Sequence, residues 1–164
     1  MMPADDADHP PVLRGDRRAE GVRCALIVST FNEAVTGRLL DRALTTLREA
    51  GADPGQLTVV HVPGAIELPL TAKRLAVTGR FDAIICLGAV IRGDTSHYEL
   101  VCDIAARGIN QAALDTGVPV IFGVVTAETT DQALERSRPG PLDRGRAAAL
   151  AAVEMATLFR LLKA

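Results

Sequence analysis

The chain has 164 residues, of which 48% are hydrophobic and 23% are charged, with 14 Gly, 9 Pro and 3 Cys. This length and composition are typical of one globular domain with a buried core, and they exclude disordered, collagen-like and disulfide-scaffold proteins. The formal net charge of −2 and the 3% content of aromatic residues disfavour nucleic-acid binding, which uses a basic surface and rings that stack on bases.

The first part of the chain, residues 1–20, contains acidic residues, prolines and arginines but no apolar central segment. It therefore does not resemble a secretory signal, and we expect a flexible N-terminal arm over 1–20 and one domain over 21–164. All apolar runs are far shorter than the roughly 20 residues that span a bilayer, so no membrane span is predicted.

From Val22 onward, short apolar runs alternate with amphipathic stretches, which predicts a repeated strand–helix order. Strands are predicted at Val22–Val28, Leu57–His61, Phe81–Gly88 and Val118–Val125. Helices are predicted at Asn32–Ala50, from about Ile66 to near Gly79, from Ser96 to before Gly117, from Thr129 to near Arg138, and at Asp143–Leu162. Continuously apolar strands joined by helices predict a parallel sheet covered on both faces. The expected fold class is α/β, a three-layer αβα sandwich around a four-stranded parallel sheet.

Two helix starts carry the S/T-x-x-E/Q pattern in which the first side chain accepts a hydrogen bond from the helix backbone. Ser96 and Glu99 form one such pair, and Thr129 and Gln132 form the other. Both helices are therefore expected to begin with a capping box. Three cysteines, Cys24, Cys86 and Cys102, lie in or beside apolar runs without metal-ligand spacing, which predicts buried thiols and a reducing, cytoplasmic compartment.

Ligands of open parallel sheets collect at the carboxyl ends of the strands. The segment from Gly93 to His97 joins one such end to a helix start, where backbone N–H groups and the helix dipole favour an anion such as phosphate. Neither a Walker loop nor a dinucleotide fingerprint is present. An ordinary capped helix start would have the same local sequence, so the anion site is one of two interpretations.

Three side chains near the predicted strand ends could take part in acid–base or polar chemistry. His97 falls in the first helical turn, where an imidazole can exchange protons near neutral pH; a plain surface histidine is the alternative. His61 has no second metal-binding residue at ligand spacing, so no metal site is predicted. Glu67 could accept hydrogen bonds from substrate hydroxyls or could merely interact with a helix dipole.

Aromatic and cationic side chains offer further candidates in a chain with 4 Phe, 1 Tyr and no Trp. A ring at Phe31 could stack on a planar ligand or pack in the core, and core packing is favoured for Phe122. Arg136 and Arg138 could form a fork for phosphate or could be solvated charges.

Four segments, taken together, resemble the lumazine synthase family: STFNE (29–33), VPGAIELP (62–69), GAVIRGDTSHYE (88–99) and PVIFGVVT (119–126). They follow the family's order and separations, and the likeness runs from about residue 22 to the end. The resemblance implies a flavodoxin-like fold and an enzyme of riboflavin biosynthesis. Such an enzyme condenses 5-amino-6-(D-ribitylamino)uracil with 3,4-dihydroxy-2-butanone 4-phosphate, giving 6,7-dimethyl-8-ribityllumazine, phosphate and water, without a cofactor or a metal.

The resemblance also implies roles for the residues that match the family's motifs. His97, in G-x-T-x-H, would be the general acid/base. The pyrimidine and its ribityl chain would be bound by Phe31, Ala65, Ile66, Glu67, Ala89, Val90, Ile91 and Phe122, and the phosphate by Asp94, Thr95 and Arg136. Phe122 and Arg136 match residues that reach the active site from a neighbouring subunit.

Members of the family are pentamers, and some form decamers or 60-subunit capsids. The resemblance therefore implies a homo-oligomer with active sites at subunit interfaces. The segment SRPGPL (137–142) departs from the Gly- and Lys-containing linker of capsid formers, so assembly beyond the pentamer stays open. Two alternatives also stay open: a non-catalytic shell-forming or flavin-binding relative, which would not need His97 and Arg136, and a generic monomeric binding domain.

Overall fold

The structure is a computed structural model that describes residues 9–163. Four strands form the sheet: β1 (Cys24–Ser29), β2 (Leu57–Val62), β3 (Ala83–Ile91) and β4 (Val120–Ala127). Five helices surround it: α1 (Glu33–Glu49), α2 (Leu68–Ala76), α3 (His97–Thr116), α4 (Thr130–Glu135) and α5 (Arg144–Lys163). Short 3₁₀ turns at Pro54–Gln56 and Ala65–Glu67 precede β2 and α2. The predicted order of elements is confirmed.

The four strands form one parallel sheet in the order β2-β1-β3-β4. Neighbouring residues of β1 point to opposite faces: Leu26 packs with α1 and α5, whereas Ile27 packs with α2 and α3. Both side chains are fully buried, because helices cover the two faces of the central strands. The predicted three-layer αβα class with a four-stranded parallel sheet is therefore confirmed.

Close contact between α1 and α5 depends on small side chains. Gly145 lies at the start of α5, and a Cβ added there would lie 2.5 Å from the carbonyl oxygen of Leu39 in α1. Further along α5, Ala149 and Ala152 are fully buried in the same core. The alanine-rich composition of this helix thus lets two helix backbones approach closely over the sheet.

Two strands extend further than their local sequence indicated. We expected β3 to end at Gly88 and β4 at Val125, but pairing continues to Ile91 and Ala127. Beyond Gly88 and Val125, each strand supplies backbone hydrogen-bond partners to the other. The expected ends of these two strands were therefore wrong, because strand ends are set by the pairing partner as well as by local hydrophobicity.

The two predicted capping boxes had different outcomes. Thr129 caps α4 as predicted, since its side chain accepts a hydrogen bond from the backbone N–H of Gln132. Ser96 makes no side-chain cap at α3, and Glu99 forms an ion pair with Arg92 instead. The predicted capping box at α3 was therefore wrong, because the carboxylate of Glu99 pairs with Arg92 from the preceding loop.

Residues 16–21 lie along the helical layer. The backbone N–H of Asp16 donates to Thr157 Oγ1 of α5 at 2.9 Å, and Ala19 is fully buried. Residues 1–8 of the expected arm lie outside the described residues, and the division of the chain at residue 20 stays a prediction. Within residues 9–163, no helix is long and apolar enough to cross a bilayer.

Candidate functional site

A cavity of about 490 Å³ opens at the carboxyl ends of β1, β2 and β3 and beside the start of α3. We call it the cleft. Its lining includes Phe31, Ala65, Ile66, Glu67, Ala89, Val90, Ile91, Thr95 and His97, all predicted from the sequence, together with Asn32, Tyr98 and Val101. Parallel strand ends thus bring Phe31 and His97, which are 66 positions apart in the chain, into the lining of one cleft.

Phe31 stands at the mouth of the cleft with 71% of its surface exposed. The core alternative for this ring is therefore wrong. Its backbone N–H donates to the carbonyl oxygen of Pro63 at 3.0 Å, which ties the end of β1 to the turn after β2. An exposed ring on an anchored backbone is suited to stacking on a planar ligand.

Asn32 has a left-handed backbone conformation with φ of 62° and is the one non-glycine residue of positive φ among residues 9–163. Its side-chain amide donates to the carbonyl oxygen of Ala89 at 3.0 Å. The chain therefore turns sharply from β1 into α1 and is held against β3 at the same point. Asn32 was not among the residues predicted for the site, although asparagine tolerates left-handed turns better than most residues.

Glu67 ends the 3₁₀ turn that follows β2, and its side chain is exposed beside the cleft. A Cβ added at Gly64 would lie 3.2 Å from Glu67 Oε2, so glycine leaves room for this carboxylate. Ala65 is buried and Ile66 is half exposed at 42%. The turn therefore places the apolar side chains of Ala65 and Ile66 beside one carboxylate, which can accept hydrogen bonds from hydroxyl groups.

Residues 89–91 form the wall of the cleft as the end of β3. Pairing of β1 with β3 stops at Val28 and Leu87, whereas β3 continues along β4 to Ile91. One edge of residues 89–91 therefore faces the cleft with backbone groups, and the Ala89 carbonyl already accepts from Asn32. This edge can meet a planar ring through backbone hydrogen bonds.

His97 is the first residue of α3, and its side chain is exposed at the cleft. Its backbone N–H donates to Thr95 Oγ1 at 3.3 Å. Asp94 is exposed and does not belong to the lining, so the structure separates it from the other predicted residues of this segment. The positive end of the helix dipole faces the same space, which favours an anion there.

No arginine or lysine is among the described residues that line the cleft. Arg92 lies at its edge, but its guanidinium is bound to Glu128 and Glu99. The hydrogen bonds that Arg92 donates to Glu128 and Glu99 raise the pKa of Arg92, and the bond from Arg92 lowers the pKa of Glu99. The charge of Arg92 is therefore already neutralised by carboxylates from α3 and from the end of β4.

Phe122 and Arg136 lie in a separate cavity of about 390 Å³ between β4 and α5, which we call the groove. Phe122 is 44% exposed, so the favoured prediction of core packing was wrong. Arg136 Nη1 donates to the carbonyl oxygen of Gln132 at 3.0 Å, and Arg144 shares the lining. One chain does not bring these two residues together with His97.

The remaining candidates, Arg138, His61 and the cysteines, line neither the cleft nor the groove. Arg138 lies 3.9 Å from Glu135 in an exposed pair, and His61 is exposed at the end of β2. No group of three or more His, Cys, Asp or Glu residues is arranged to hold a metal ion within residues 9–163. Burial raises the pKa of the Cys24 and Cys86 thiols to about 12, which keeps them protonated and unreactive.

A flavodoxin-like αβα fold with a histidine and a carboxylate in a cleft at its strand ends defines an α/β enzyme that acts on small molecules. The sequence profile of the family described as 6,7-dimethyl-8-ribityllumazine synthase matches residues 21–160. This chain belongs to that family, and it is an enzyme of the transferase class in riboflavin biosynthesis.

Three proteins with that name are similar to this chain over nearly their whole length. The 6,7-dimethyl-8-ribityllumazine synthase of Salinibacter ruber is 52% identical over 150 residues, covering 92% of this chain and 96% of the relative. That of Desulfotalea psychrophila is 47% identical over 154 residues, or 94% and 99% of the two chains. That of Syntrophus aciditrophicus is 49% identical over 151 residues, or 92% and 98%.

Proposed function

We propose that this chain condenses 5-amino-6-(D-ribitylamino)uracil with 3,4-dihydroxy-2-butanone 4-phosphate in the cleft, completed by the groove of a neighbouring subunit. The products are 6,7-dimethyl-8-ribityllumazine, phosphate and water. The observation that carries this proposal is the division of charge: His97 lines the cleft, which has no arginine or lysine among its described lining residues, whereas Arg136 and Arg144 line the groove. The reaction of a phosphate ester needs both the histidine of the cleft and the cations of the groove.

The pyrimidine substrate fits the end of the cleft formed by β1, β2 and β3. We assign stacking on its ring to Phe31 and contacts with its polar edge to the backbone of residues 89–91. Ala65, Ile66 and Glu67 would line the ribityl chain, with the Glu67 carboxylate accepting hydrogen bonds from its hydroxyl groups. The exposed ring, the open strand edge and the exposed carboxylate support these assignments.

The phosphate of the second substrate fits beside the first turn of α3. Backbone N–H groups of Asp94 and Thr95 and the helix dipole would bind it there, with the Asp94 side chain directed to solvent. Arg136 of a neighbouring subunit would supply the positive charge through its two-pronged guanidinium. Phe122 from the same groove would close the cleft over the pyrimidine ring.

His97 is proposed to move protons in several steps of the reaction. The substrate amine attacks the ketone, and the resulting carbinolamine loses water to give an imine. Elimination then breaks the carbon–oxygen bond to phosphate, and the second amine closes the ring with loss of another water. One imidazole beside the bound pair can give and take the proton in each step. Holding the two substrates together supplies the rest of the acceleration.

A homo-oligomer follows from a site shared in this way, and a pentamer is the family's arrangement, with a decamer or a 60-subunit shell as larger forms. The apolar side chains exposed on one chain support an assembly: Leu70 on α2, Val77 just after it, and Leu100 and Leu114 on α3 are each more than half exposed, and Phe122 on β4 is 44% exposed. A cytoplasmic enzyme is proposed on the three free cysteines of the chain.

The direct test mixes both substrates with the purified protein and follows the absorbance and fluorescence of the lumazine product. Product formation well above the spontaneous reaction is expected. Light scattering on the same sample should show an oligomer. A well-folded oligomer with no activity above the background would instead favour a shell or storage protein, and an active monomer would contradict the shared site.

A mixing experiment tests the division between cleft and groove. His97→Ala damages the cleft alone, and Arg136→Ala damages the groove alone. After joint dissociation and reassembly, about a quarter of subunit junctions would pair an intact cleft with an intact groove, if mixing is random in a cyclic oligomer. Activity should therefore return in the mixture, whereas each variant treated separately should stay weak. A mixture no more active than the average of its parts would contradict the shared site.

A further inference from the structure

Arg92 connects the end of β4 with the first turn of α3. Its backbone N–H donates to the carbonyl oxygen of Ala127 at 2.9 Å, and its Nε donates to Glu128 Oε2 at 2.6 Å. Its Nη1 donates to Glu99 in the first turn of α3. The guanidinium carbon also lies 4.4 Å from the centre of the Tyr98 ring.

The first turn of α3 has few other attachments. Ser96 makes no side-chain cap, and the loop of residues 93–96 before it is exposed throughout. Tyr98 and Glu99, the two residues that follow His97, both contact Arg92. The position of His97 therefore depends on side chains that tie its turn to the sheet.

A single exposed ion pair contributes little to stability. Here, however, one guanidinium is shared by two carboxylates and lies over an aromatic ring, so the loss of Arg92 would release three contacts together. The two carboxylates also occupy its charge, which argues against Arg92 as a phosphate ligand. Arg92 is therefore suited to holding the loop rather than to binding substrate.

We propose that Arg92 is a positioning residue that holds the first turn of α3 against the end of β4. In this way it also holds His97 and the loop of residues 93–96, which is proposed to bind the phosphate. This inference rests on the proposed function of His97. It assigns to the site a residue that lies outside the cleft lining and that would act through His97 rather than on the substrates.

The test compares Arg92→Met with Arg107→Met by amide hydrogen exchange in the assembled protein. Arg107 forms one exposed ion pair with Asp103 on the same helix, at 2.6 Å, which makes it a matched control. Exchange across residues 95–100 should become roughly tenfold faster in Arg92→Met and should stay unchanged in Arg107→Met. Equal exchange in the two variants would overturn the proposal, whatever the activity of the enzyme.

Kinetics then separate positioning from general damage. Arg92→Met should lower kcat by about tenfold or more, because small displacements of a catalytic group are costly, while the KM for the pyrimidine stays within about twofold. Arg92→Lys should give an intermediate kcat, since an ammonium cannot form the same fork between two carboxylates. A pyrimidine KM that rises as much as kcat falls would overturn the positioning role.

A milder variant covers the case in which Arg92→Met folds poorly. Glu128→Gln keeps the size of the side chain and weakens one of the two ion pairs. It should speed exchange across residues 95–100 less than Arg92→Met, and unchanged exchange would overturn the proposal. An inactive unaltered enzyme would contradict the proposed function alone, since hydrogen exchange would still decide the role of Arg92.

Discussion

The cleft and the groove are built from different parts of one sheet, and they carry different chemistry. The cleft is formed by strand ends and turns and contributes His97, Glu67 and an open strand edge. The groove lies between β4 and α5 and contributes Phe122, Arg136 and Arg144. In the proposed function, the cleft therefore supplies the proton-transfer group and the groove of a neighbouring subunit supplies the cations for the phosphate ester.

Proton transfer should show the largest contrast between the two regions. His97→Gln keeps a polar side chain in the cleft but removes the general acid/base, so kcat should fall about 10²–10⁴-fold. Initial rates of lumazine formation measure this loss. His61→Gln serves as the control, since His61 is exposed at the end of β2 and does not line the cleft. If both variants keep similar rates, the cleft is not the site of proton transfer.

The groove should determine binding of the phosphate ester. Arg136→Ala should raise the KM for 3,4-dihydroxy-2-butanone 4-phosphate by roughly tenfold or more, the typical value of a charge-assisted hydrogen bond. The KM for the pyrimidine should change little. Steady-state kinetics with each substrate varied in turn make the measurement, and Arg138→Ala is a neighbouring control. Equal increases in both KM values would remove the phosphate role.

Stability should also distinguish the regions, because they differ in how tightly the backbone is packed. A Cβ at Gly123 in the groove would lie 2.7 Å from the carbonyl oxygen of Cys86, whereas a Cβ at Gly93 in the cleft would have nothing within 4 Å. Gly123→Ala should cost about 1–3 kcal/mol of unfolding free energy through overpacking. Gly93→Ala should have little effect. Urea unfolding of both variants checks this, and similar midpoints would contradict it.

A site far from both regions should respond to acid without affecting either. Burial opposes ionisation of Asp82, but hydrogen bonds from the Arg23 side chain and backbone outweigh it, so the pKa of Asp82 is lowered. The stabilisation is therefore present above the ordinary carboxylate range near pH 4 and is lost as the pH falls through the lowered pKa.

Asp82→Asn should accordingly destabilise the protein most at neutral pH. The difference in unfolding free energy between the unaltered protein and the variant should shrink in acid. The substitution should leave both substrate KM values unchanged at neutral pH. Urea unfolding at a series of pH values measures the difference in free energy. A difference that stays constant down to the most acidic folded sample would show that the ionised form of Asp82 has no special partner.

Much of the cleft could be predicted because its residues follow strand ends that are visible in the sequence. Pro63 and Gly64 interrupt the apolar pattern after β2, and Gly93 precedes the start of α3. Such signals are local. The cleft residues then come together without further information, because the carboxyl ends of parallel strands share one edge of the sheet.

Other features depended on partners that are distant in the chain. The end of β3 at Ile91 follows from pairing with β4. The cap expected at Ser96 does not form, and Glu99 instead forms an ion pair with Arg92. Phe122 belongs to a strongly apolar run, yet it stands exposed because β4 is an edge strand.

The order of the strands and helices, the αβα class and the family could be recognised before folding was considered, since they depend on short apolar periods and contiguous motifs. The end of β3, the contacts that hold the first turn of α3, and the separation of Phe122 and Arg136 from His97 became visible only in the folded chain. Those features depend on which backbone and side-chain groups meet after folding, and hydrogen bonds and ion pairs form between whichever partners the sheet brings within reach.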